Sequence, residues 1–334
     1  MTRAADYVHT ISVVVPVYLG ETTLEGLVTE LEPFTNEFVT PRGSHAKVGE
    51  ILLVWDNGPD NSAGVIRKLE EQFPSVRGLW LTRNFGQHAA TLAGMASSGS
   101  DWIVTMDEDG QHNPADIPTL LDAAIEHGFH VVYAAPTNRP PHSFMRSASS
   151  RVAKRLLRAL SSDRSINPSD YQSYRLMLGE VGRSVAAYAG SGVYLDIALG
   201  WITNRTGTAP VELRAEARES SGYSYRSLTG HFWRMVLSSG TRGLRFVSVL
   251  GGILSVAGII TAIYFIVQKL SGGDLPQGWT STLIVILISS GAILISLGIV
   301  AEYVGVAVNM AMGKPPYMIM NDPEKSPLGR RPEK

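Results

Sequence analysis

The sequence predicts an α/β domain with a mostly parallel sheet, followed by an amphipathic helix and a two-helix transmembrane hairpin. Short apolar segments alternate with helical patterns up to about residue 208. Two long uncharged apolar runs come later in the chain. We therefore expect an α/β domain, a juxtamembrane helix, a hairpin and a C-terminal tail, at residues 1–219, 220–245, 246–304 and 305–334.

Composition excludes several classes of protein. A chain of 334 residues with 44% apolar residues has room for one large domain or two ordinary ones. Its net charge of -1 argues against a nucleic-acid binder, which needs a basic surface. The absence of cysteine excludes disulfides and thiolate metal sites. The N-terminus lacks the apolar region of a signal peptide, so we expect the first domain to be cytoplasmic.

The first domain alternates strand-like and helical segments. The strand-like ones are ISVVVPV, EILLVW, VRGLWL, DWIVTM and HVVYAA, and between them lie TLEGLVTELEPF, NSAGVIRKLEEQF, GQHAATLAGMASS and PADIPTLLDAAIEH. Asn113 followed by Pro114 is a typical helix start. This order predicts a parallel sheet with helices on both faces, and a ligand site beyond the carboxyl ends of the strands.

Three acidic residues follow the strand-like segment DWIVTM. Alternate residues of an extended chain share a face, so Asp107 and Asp109 point together and Glu108 points away. Two carboxylates with oxygen-only chemistry suit a hard cation, Mg²⁺ or Mn²⁺, that also binds phosphate oxygens. A solvated turn is the alternative interpretation of this cluster.

Polar residues also follow the two preceding strands. Asp56 ends the second strand, and Arg83 and Asn84 end the third, so all of them open on the same crevice as the acidic cluster. Together they predict a site for a metal-bridged diphosphate, with Asp56 near a base or ribose. Alternatively, Asp56 is a turn former or helix cap, and Arg83 is a surface charge.

The ordered motifs resemble a known family. PVY, WDNGPDNS, RNFGQHAATLAG and DEDGQHNPADIP are similar to motifs of family 2 glycosyltransferases, which have the Rossmann-like GT-A fold. DYQSYRLM, ESSGYS, AEYVG and KPPYMI narrow the resemblance to polyprenyl-phosphate glycosyltransferases, over about residues 11–319. The resemblance implies a nucleotide-sugar donor, a polyprenyl phosphate acceptor of the undecaprenyl or decaprenyl type, and Mg²⁺ or Mn²⁺. By analogy it also implies a homotetramer.

The resemblance implies roles for individual residues. Asp107 and Asp109 bind the metal and the donor diphosphate, and Asp170 lies near the reacting centre. The resemblance also places Pro16, Tyr18, Asp56 and Gln111 around the donor. With Arg83 and Asn84 from the strand ends, and Glu21 in place of a departing position, they form the expected donor-binding set. The alternative interpretation is that Gln111 and His112 are ordinary loop residues and that Asp170 is a helix or turn cap.

Three motifs depart from the family pattern. Leu19 and Gly20 replace the usual Asn-Glu, with Glu21 substituting one position later. Trp55 replaces the first of two aspartates. Glu108 stands where alanine is common, and we expect no consequence because this side chain faces away. The first two changes affect which nucleotide is bound more than which reaction occurs.

A basic segment follows the last strand of this series. Residues 139–164 contain seven Lys or Arg against one acid. Arginine donates two parallel hydrogen bonds to phosphate, which favours Arg139 and Arg146 for the acceptor phosphate. Arg218 and Ser221 are further acceptor candidates. A solvated helix face, or general attraction to anionic lipid headgroups, explains the same charges.

The C-terminal third predicts membrane association. Residues 220–245 contain no acid and an apolar helical stripe, which is typical of an interfacial helix, although packing on the first domain is an alternative. The spans, about 246–268 and 280–301, are long enough to cross a bilayer. Basic residues flank their outer ends, so we expect both termini and the catalytic domain on the cytoplasmic side of the cell inner (plasma) membrane.

These inferences predict a metal-dependent enzyme that transfers a sugar, with inversion, to polyprenyl phosphate at the cytoplasmic membrane face. An alternative is a catalytically weak homologue that serves as a membrane scaffold or carrier-lipid binder. A processive polysaccharide synthase would need a Gln-x-x-Arg-Trp motif and more spans, and the sequence has neither.

Overall fold

The computed structural model describes residues 7–138, 172–190, 193–214, 278–313 and 315–326, with residues 260, 263, 267 and 271; within 278–313, some side chains lie outside the described set. The strands are β1 (Val8–Val17), β2 (Phe38–Val39), β3 (His45–Trp55), β4 (Val76–Leu81), β5 (Trp102–Thr105), β6 (Val131–Pro136), β7 (Arg175–Leu178), β8 (Thr206–Val211) and β9 (Ile319–Met320). The α-helices are α1 (Leu24–Leu31), α2 (Ser62–Gln72), α3 (Gln87–Ser97), α4 (Ile117–His127), α5 (Gly179–Tyr188), α6 (Leu195–Ile202) and α7 (Trp279–Ala311).

The nine described strands form one sheet in the order β8-β6-β7-β5-β1-β3-β4-β9, with β2 paired to β3. Its centre is parallel, because β1 pairs in parallel with both β3 and β5, and β3 with β4. Strand β7 runs antiparallel to β5 and to β6, and β9 runs antiparallel to β4. The predicted α/β fold with a mostly parallel sheet is confirmed.

The centre of the sheet is covered on both faces. Strand β1 is fully buried from Ile11 to Val17. One face packs against apolar residues of α1, α2 and α4, and the other against α3, α5 and α6. At Gly94 of α3, an added Cβ would lie 2.3 Å from Val14 Cγ1, so α3 approaches β1 more closely than a larger residue allows.

The five strand-like segments of the sequence correspond to β1, β3, β4, β5 and β6, and the four helical segments to α1–α4. The Asn113 cap is also confirmed, since its side chain accepts a hydrogen bond from Ala115 N at 3.1 Å. Strands β2, β7, β8 and β9 were not predicted. They are short or, in β8, contain glycine and proline, and their pairing comes from segments distant in sequence.

The chain after α7 returns to the α/β domain. Strand β9 pairs with the edge of β4, through Trp80 with Met320 and Leu81 with Ile319. Beyond it, Asp322 forms a bidentate ion pair with Arg67 of α2, including a contact of 2.7 Å between Arg67 Nη2 and Asp322 Oδ1. The sequence analysis gave no sign of this contact between the predicted tail and the first domain.

Helix α7 covers the second predicted span and continues beyond residue 304 to Ala311. Among the residues that the structure describes, no helix is long and apolar enough to cross a membrane. The transmembrane hairpin therefore stays a prediction. The predicted interfacial helix, and all but isolated residues of the first span, lie outside the described residues.

Candidate active site

The loops that follow β1, β3, β4 and β5 meet at the carboxyl edge of the parallel centre. Asp107, just after β5, is held from two directions. Its Oδ1 accepts a hydrogen bond from Gln87 Nε2 at 2.5 Å, and its Oδ2 accepts one from Ser173 Oγ at 2.6 Å. Gln87 is the first residue of α3, so helix and loop together fix the orientation of this carboxylate.

Asp109 lies two residues further along the same loop. Its Oδ1 accepts a hydrogen bond from Gln111 N at 3.0 Å, and Gly110 between them adopts a φ of 77°, which favours glycine. Asp107 and Asp109 are both partly exposed. Carboxylate oxygens of this kind fit a hard cation that completes its coordination with water or phosphate. Within the described residues there is no group of three or more acidic or histidine side chains arranged to hold a metal ion.

His112 is a buried residue that stabilises the loop after β5. Its ring is only 5% exposed, and its Nδ1 accepts a hydrogen bond from Asp107 N at 3.0 Å. The ring stacks on Tyr174 at 4.9 Å, and the Tyr174 hydroxyl donates to Asn113 O at 2.8 Å. His112 is thus a structural member of the loop.

Asp56 holds the loop after β4. Its Oδ1 and Oδ2 accept hydrogen bonds from Phe85 N and Gly86 N, each at 2.7 Å. Burial raises the pKa of Asp56, while the two amide hydrogen bonds and Arg83 act in the opposite direction. Asp56 therefore helps to position the N-terminus of α3. The first residue of this helix, Gln87, donates a hydrogen bond to Asp107. The contact of Asp56 with a base or ribose stays a prediction. The structure shows that this residue is only 3% exposed.

Arg83 and Asn84 lie exposed on the same loop. The Arg83 guanidinium lies over the Phe85 ring, 4.1 Å from its centroid. This contact restrains the side chain and leaves its charge at the surface.

The loops after β1 and β3 are joined. Glu21 N donates to Asp60 Oδ2 at 3.1 Å, and Asn61 N donates to Glu21 Oε2 at 3.2 Å. An added Cβ at Gly58 would lie 1.7 Å from Tyr18 O, so only glycine fits there. Pro16 is buried in β1, whereas Tyr18 at its end is 40% exposed and accessible to a ligand.

Glu108 connects the loop after β5 to the loop after β1. It points to the loop after β1, where Oε2 accepts a hydrogen bond from Tyr18 N at 3.1 Å and Oε1 accepts one from Leu19 N at 3.0 Å. The side chain therefore contacts a neighbouring loop of the site, and the expectation that this departure has no consequence stays a prediction.

Sequence reasoning missed the support beneath Asp107. Arg175 of β7 is buried, forms an ion pair with buried Asp196 of α6, and donates from Nε to Thr105 Oγ1 at 3.1 Å. Burial lowers the pKa of Arg175. Thr105 Oγ1 donates in turn to Ser173 O at 2.6 Å, which brings Ser173 next to Asp107. The only local signal was the motif SYR, where Ser173 and Arg175 are two residues apart in an extended segment.

Five predicted residues lie outside the described part of the chain. They are the reacting-centre candidate Asp170 and the acceptor candidates Arg139, Arg146, Arg218 and Ser221.

Comparison with known proteins identifies the family. The model of "Glycosyl transferase family 2" matches residues 12–179, half of the chain. The chain belongs to glycosyl transferase family 2. The matched region of this family 2 glycosyltransferase contains all four loops of the crevice, together with Gln87, Ser173 and Arg175.

Curated relatives extend the similarity to nearly the whole chain. Undecaprenyl-phosphate 4-deoxy-4-formamido-L-arabinose transferase from Salmonella choleraesuis is 28% identical over 323 residues, which cover 95% of each protein. The transferase of the same name from Salmonella typhimurium has the same identity and coverage. The similarity thus includes the C-terminal third.

A solved structure shares the fold. Glucosyl-3-phosphoglycerate synthase from Mycobacterium tuberculosis, in complex with Mn²⁺, UDP-glucose and phosphoglyceric acid, aligns with a TM-score of 0.50 and 18% identity. The alignment covers 70% of this chain and 79% of that one. At this identity the likeness supports the GT-A-like architecture alone.

Proposed function

We propose that this family 2 glycosyltransferase transfers a sugar from a nucleotide-sugar donor to a polyprenyl phosphate, with inversion and with Mg²⁺ or Mn²⁺. The observation that carries the proposal is the arrangement of Asp107 and Asp109 at the carboxyl edge of the sheet. Asp107 is oriented there by Gln87 and Ser173. The full-length similarity to undecaprenyl-phosphate sugar transferases supports the choice of acceptor.

The acceptor activates itself to a large extent. A phosphate monoester has a second pKa of about 6, so its oxygen is mostly ionised at neutral pH and needs no strong general base. This oxygen attacks the anomeric carbon, a new carbon–oxygen bond forms, and the bond to the nucleoside diphosphate breaks. A single displacement of this kind inverts the anomeric centre.

The protein's contribution is therefore positioning and charge stabilisation. Asp107 and Asp109 would hold the divalent ion, which when bound offsets the negative charge on the leaving diphosphate. The exposed Arg83 adds a cation at the same edge. We propose Asp170 for orienting the sugar or acceptor, and the basic candidates at residues 139, 146 and 218 with Ser221 for the acceptor phosphate.

Exposed apolar side chains support a membrane location. Large apolar residues of α7 are 40–61% exposed, namely Val285, Ile286, Ile293, Leu297, Val300, Val304 and Val308. An exposed apolar face of this length is costly in water and stable in lipid. We propose that the two predicted spans anchor the enzyme in the inner membrane with its catalytic domain on the cytoplasmic face. From the family resemblance, we also propose that the enzyme is a homotetramer.

A screen tests the proposed function. The full chain in detergent is mixed with undecaprenyl phosphate and a panel of nucleotide sugars, with Mg²⁺, with Mn²⁺ or with a chelator, and the glycolipid product is measured. We expect one donor to give product only with a divalent ion. Equal turnover after complete removal of divalent ions would contradict the proposed mechanism.

Asp107→Asn separates this proposal from a non-catalytic scaffold. Under the proposal, loss of one ligand charge lowers transfer by about 100-fold or more, comparable with the loss of one strong electrostatic contact in a transition state. A scaffold or carrier-lipid binder would keep its lipid binding and show no transfer before or after the change. Glu71→Gln, at an exposed position of α2, is the matched control.

A further inference from the structure

We propose that Glu108 is a positioning residue that couples two loops of the site. They are the loop after β5, which carries the proposed metal ligands Asp107 and Asp109, and the loop after β1, which carries the proposed nucleotide contact Tyr18. Through this coupling, a divalent ion and a nucleoside diphosphate strengthen each other's binding. This inference rests on the proposed function. It assigns a role to the acid between Asp107 and Asp109, one of the positions at which this chain departs from the family pattern.

The first support is the use of both carboxylate oxygens. Tyr18 N donates to Oε2 at 3.1 Å and Leu19 N donates to Oε1 at 3.0 Å, so one side chain holds two successive backbone amides. Hydrogen bonds to an ionised acceptor are stronger than neutral ones. The contact joins residues 90 positions apart and connects two loops of the crevice.

The second support is the shape of the loop around this carboxylate. An added Cβ at Gly20 would lie 2.6 Å from Glu108 Oε2 and 2.8 Å from Leu24 Cγ, so the backbone packs directly against the acid. Gly20 N also donates to Ser62 Oγ at 2.8 Å. The loop is thus restrained from the β3 side as well, and Glu108 supplies the restraint from the metal side.

The consequence is a mechanical link between two binding events. Glu108 is covalently adjacent to both proposed metal ligands, and its carboxylate holds the backbone of exposed Tyr18, a proposed base contact. An ion that fixes Asp107 and Asp109 therefore also fixes the amides of Tyr18 and Leu19. Coupling of this kind is reciprocal, so bound nucleotide must raise ion affinity by the same factor.

The test measures binding and not only turnover. Dissociation constants of UDP, GDP, CDP, ADP and dTDP are measured by calorimetry on the full chain in detergent, with and without Mn²⁺. The variants are Glu108→Ala, Glu108→Gln and the surface control Glu71→Ala. We expect Glu108→Ala to weaken the best nucleotide about tenfold with Mn²⁺ and to reduce the gain in affinity that Mn²⁺ gives, within the usual range of coupling.

Glu108→Gln keeps one acceptor oxygen and loses the other, so we expect an intermediate affinity. In transfer assays, the KM for the donor should rise in both variants with a smaller change in kcat. Glu71→Ala should match the unmodified protein.

The outcomes are distinct. If Glu108→Ala and Glu108→Gln keep the nucleotide affinity and the Mn²⁺ dependence of the unmodified protein, the coupling role is refuted while the proposed function stands. A purely structural role would lower Tm and weaken nucleotide equally with and without Mn²⁺, which also refutes coupling. If the unmodified protein binds none of the nucleotides, the proposed function fails, and the inference fails with it.

Discussion

The parallel centre of the sheet and its antiparallel additions are held together by different polar contacts. At the carboxyl edge of the centre, Asp56 and Glu108 accept hydrogen bonds from backbone amides of neighbouring loops. The antiparallel strand β7 is fixed by the pair Arg175–Asp196, and the segment after β9 by Arg67–Asp322.

The difference corresponds to two tasks. A carboxylate that accepts hydrogen bonds from backbone amides fixes the shape of one loop without a hydrogen bond to a cationic side chain, and Arg83 stays exposed. An arginine–aspartate pair instead fixes one chain segment against another. The carboxylates that accept amides thus fix the loops of the candidate site, whereas the arginine–aspartate pairs fix β7 and the segment after β9 against the rest of the domain.

The largest expected effect on stability is at Arg175. Arg175→Met leaves buried Asp196 without its cation, and breaking a buried pair costs about 3–5 kcal/mol. Urea denaturation of the full chain, followed by tryptophan fluorescence, measures this loss. The double change Arg175→Met with Asp196→Leu should recover most of it, because an apolar replacement of a buried pair is close to neutral. Equal losses in the single and double variants would contradict a role for the pair.

A smaller effect is expected in the parallel centre at Asp56. Asp56→Asn keeps one acceptor oxygen and turns an amide group toward the second backbone N–H, at a cost of about 2 kcal/mol. Because the amides of Phe85 and Gly86 donate to Asp56, the substitution weakens their hydrogen bonds, and their hydrogen exchange should accelerate. Unchanged exchange at these two amides would show that the carboxylate does not hold the loop.

The pair at the tail gives a pH-dependent effect. The hydrogen bond and charge of Arg67 lower the pKa of Asp322, so its contribution is present above the ordinary value of 3.8 and is lost as pH falls through the lowered folded-state pKa. Asp322→Asn should cost about 1.5 kcal/mol at pH 7. The stability difference between the two proteins should disappear at low pH. A difference that stays the same at pH 7 and below the lowered folded-state pKa of Asp322 would contradict this assignment.

The smallest effect is expected at an exposed pair. Lys68 and Glu25 join α2 to α1 at 3.2 Å, with side chains 53% and 61% exposed. Lys68→Ala should change stability by less than about 0.5 kcal/mol, because solvent and salt screen such pairs. A loss as large as that at Asp322 would remove the distinction between buried and surface contacts on which the comparison rests.

Much of the centre was predictable because its signals are local. Strand β1 carries an uninterrupted apolar run, and the helices between strands carry helical spacing. The parallel order then requires the residues after each strand to meet at one edge, which is why Asp56, Arg83 and Asp107 were expected together. The partners of the acidic residues were not predictable, since Asp107 accepts a hydrogen bond from a residue 66 positions away and Glu108 accepts two from residues 90 and 89 positions away.

By itself, the sequence determined the α/β class, the order of the central elements and the edge at which the acidic motif lies, because apolar periodicity and strand ends are properties of neighbouring residues. Only the tertiary structure decided that β7 lies between β5 and β6, that β9 returns to the edge of β4, and that Gln87 and Ser173 orient Asp107. These contacts depend on residues that are far apart in the chain and come within hydrogen-bonding distance only when the whole sheet has formed.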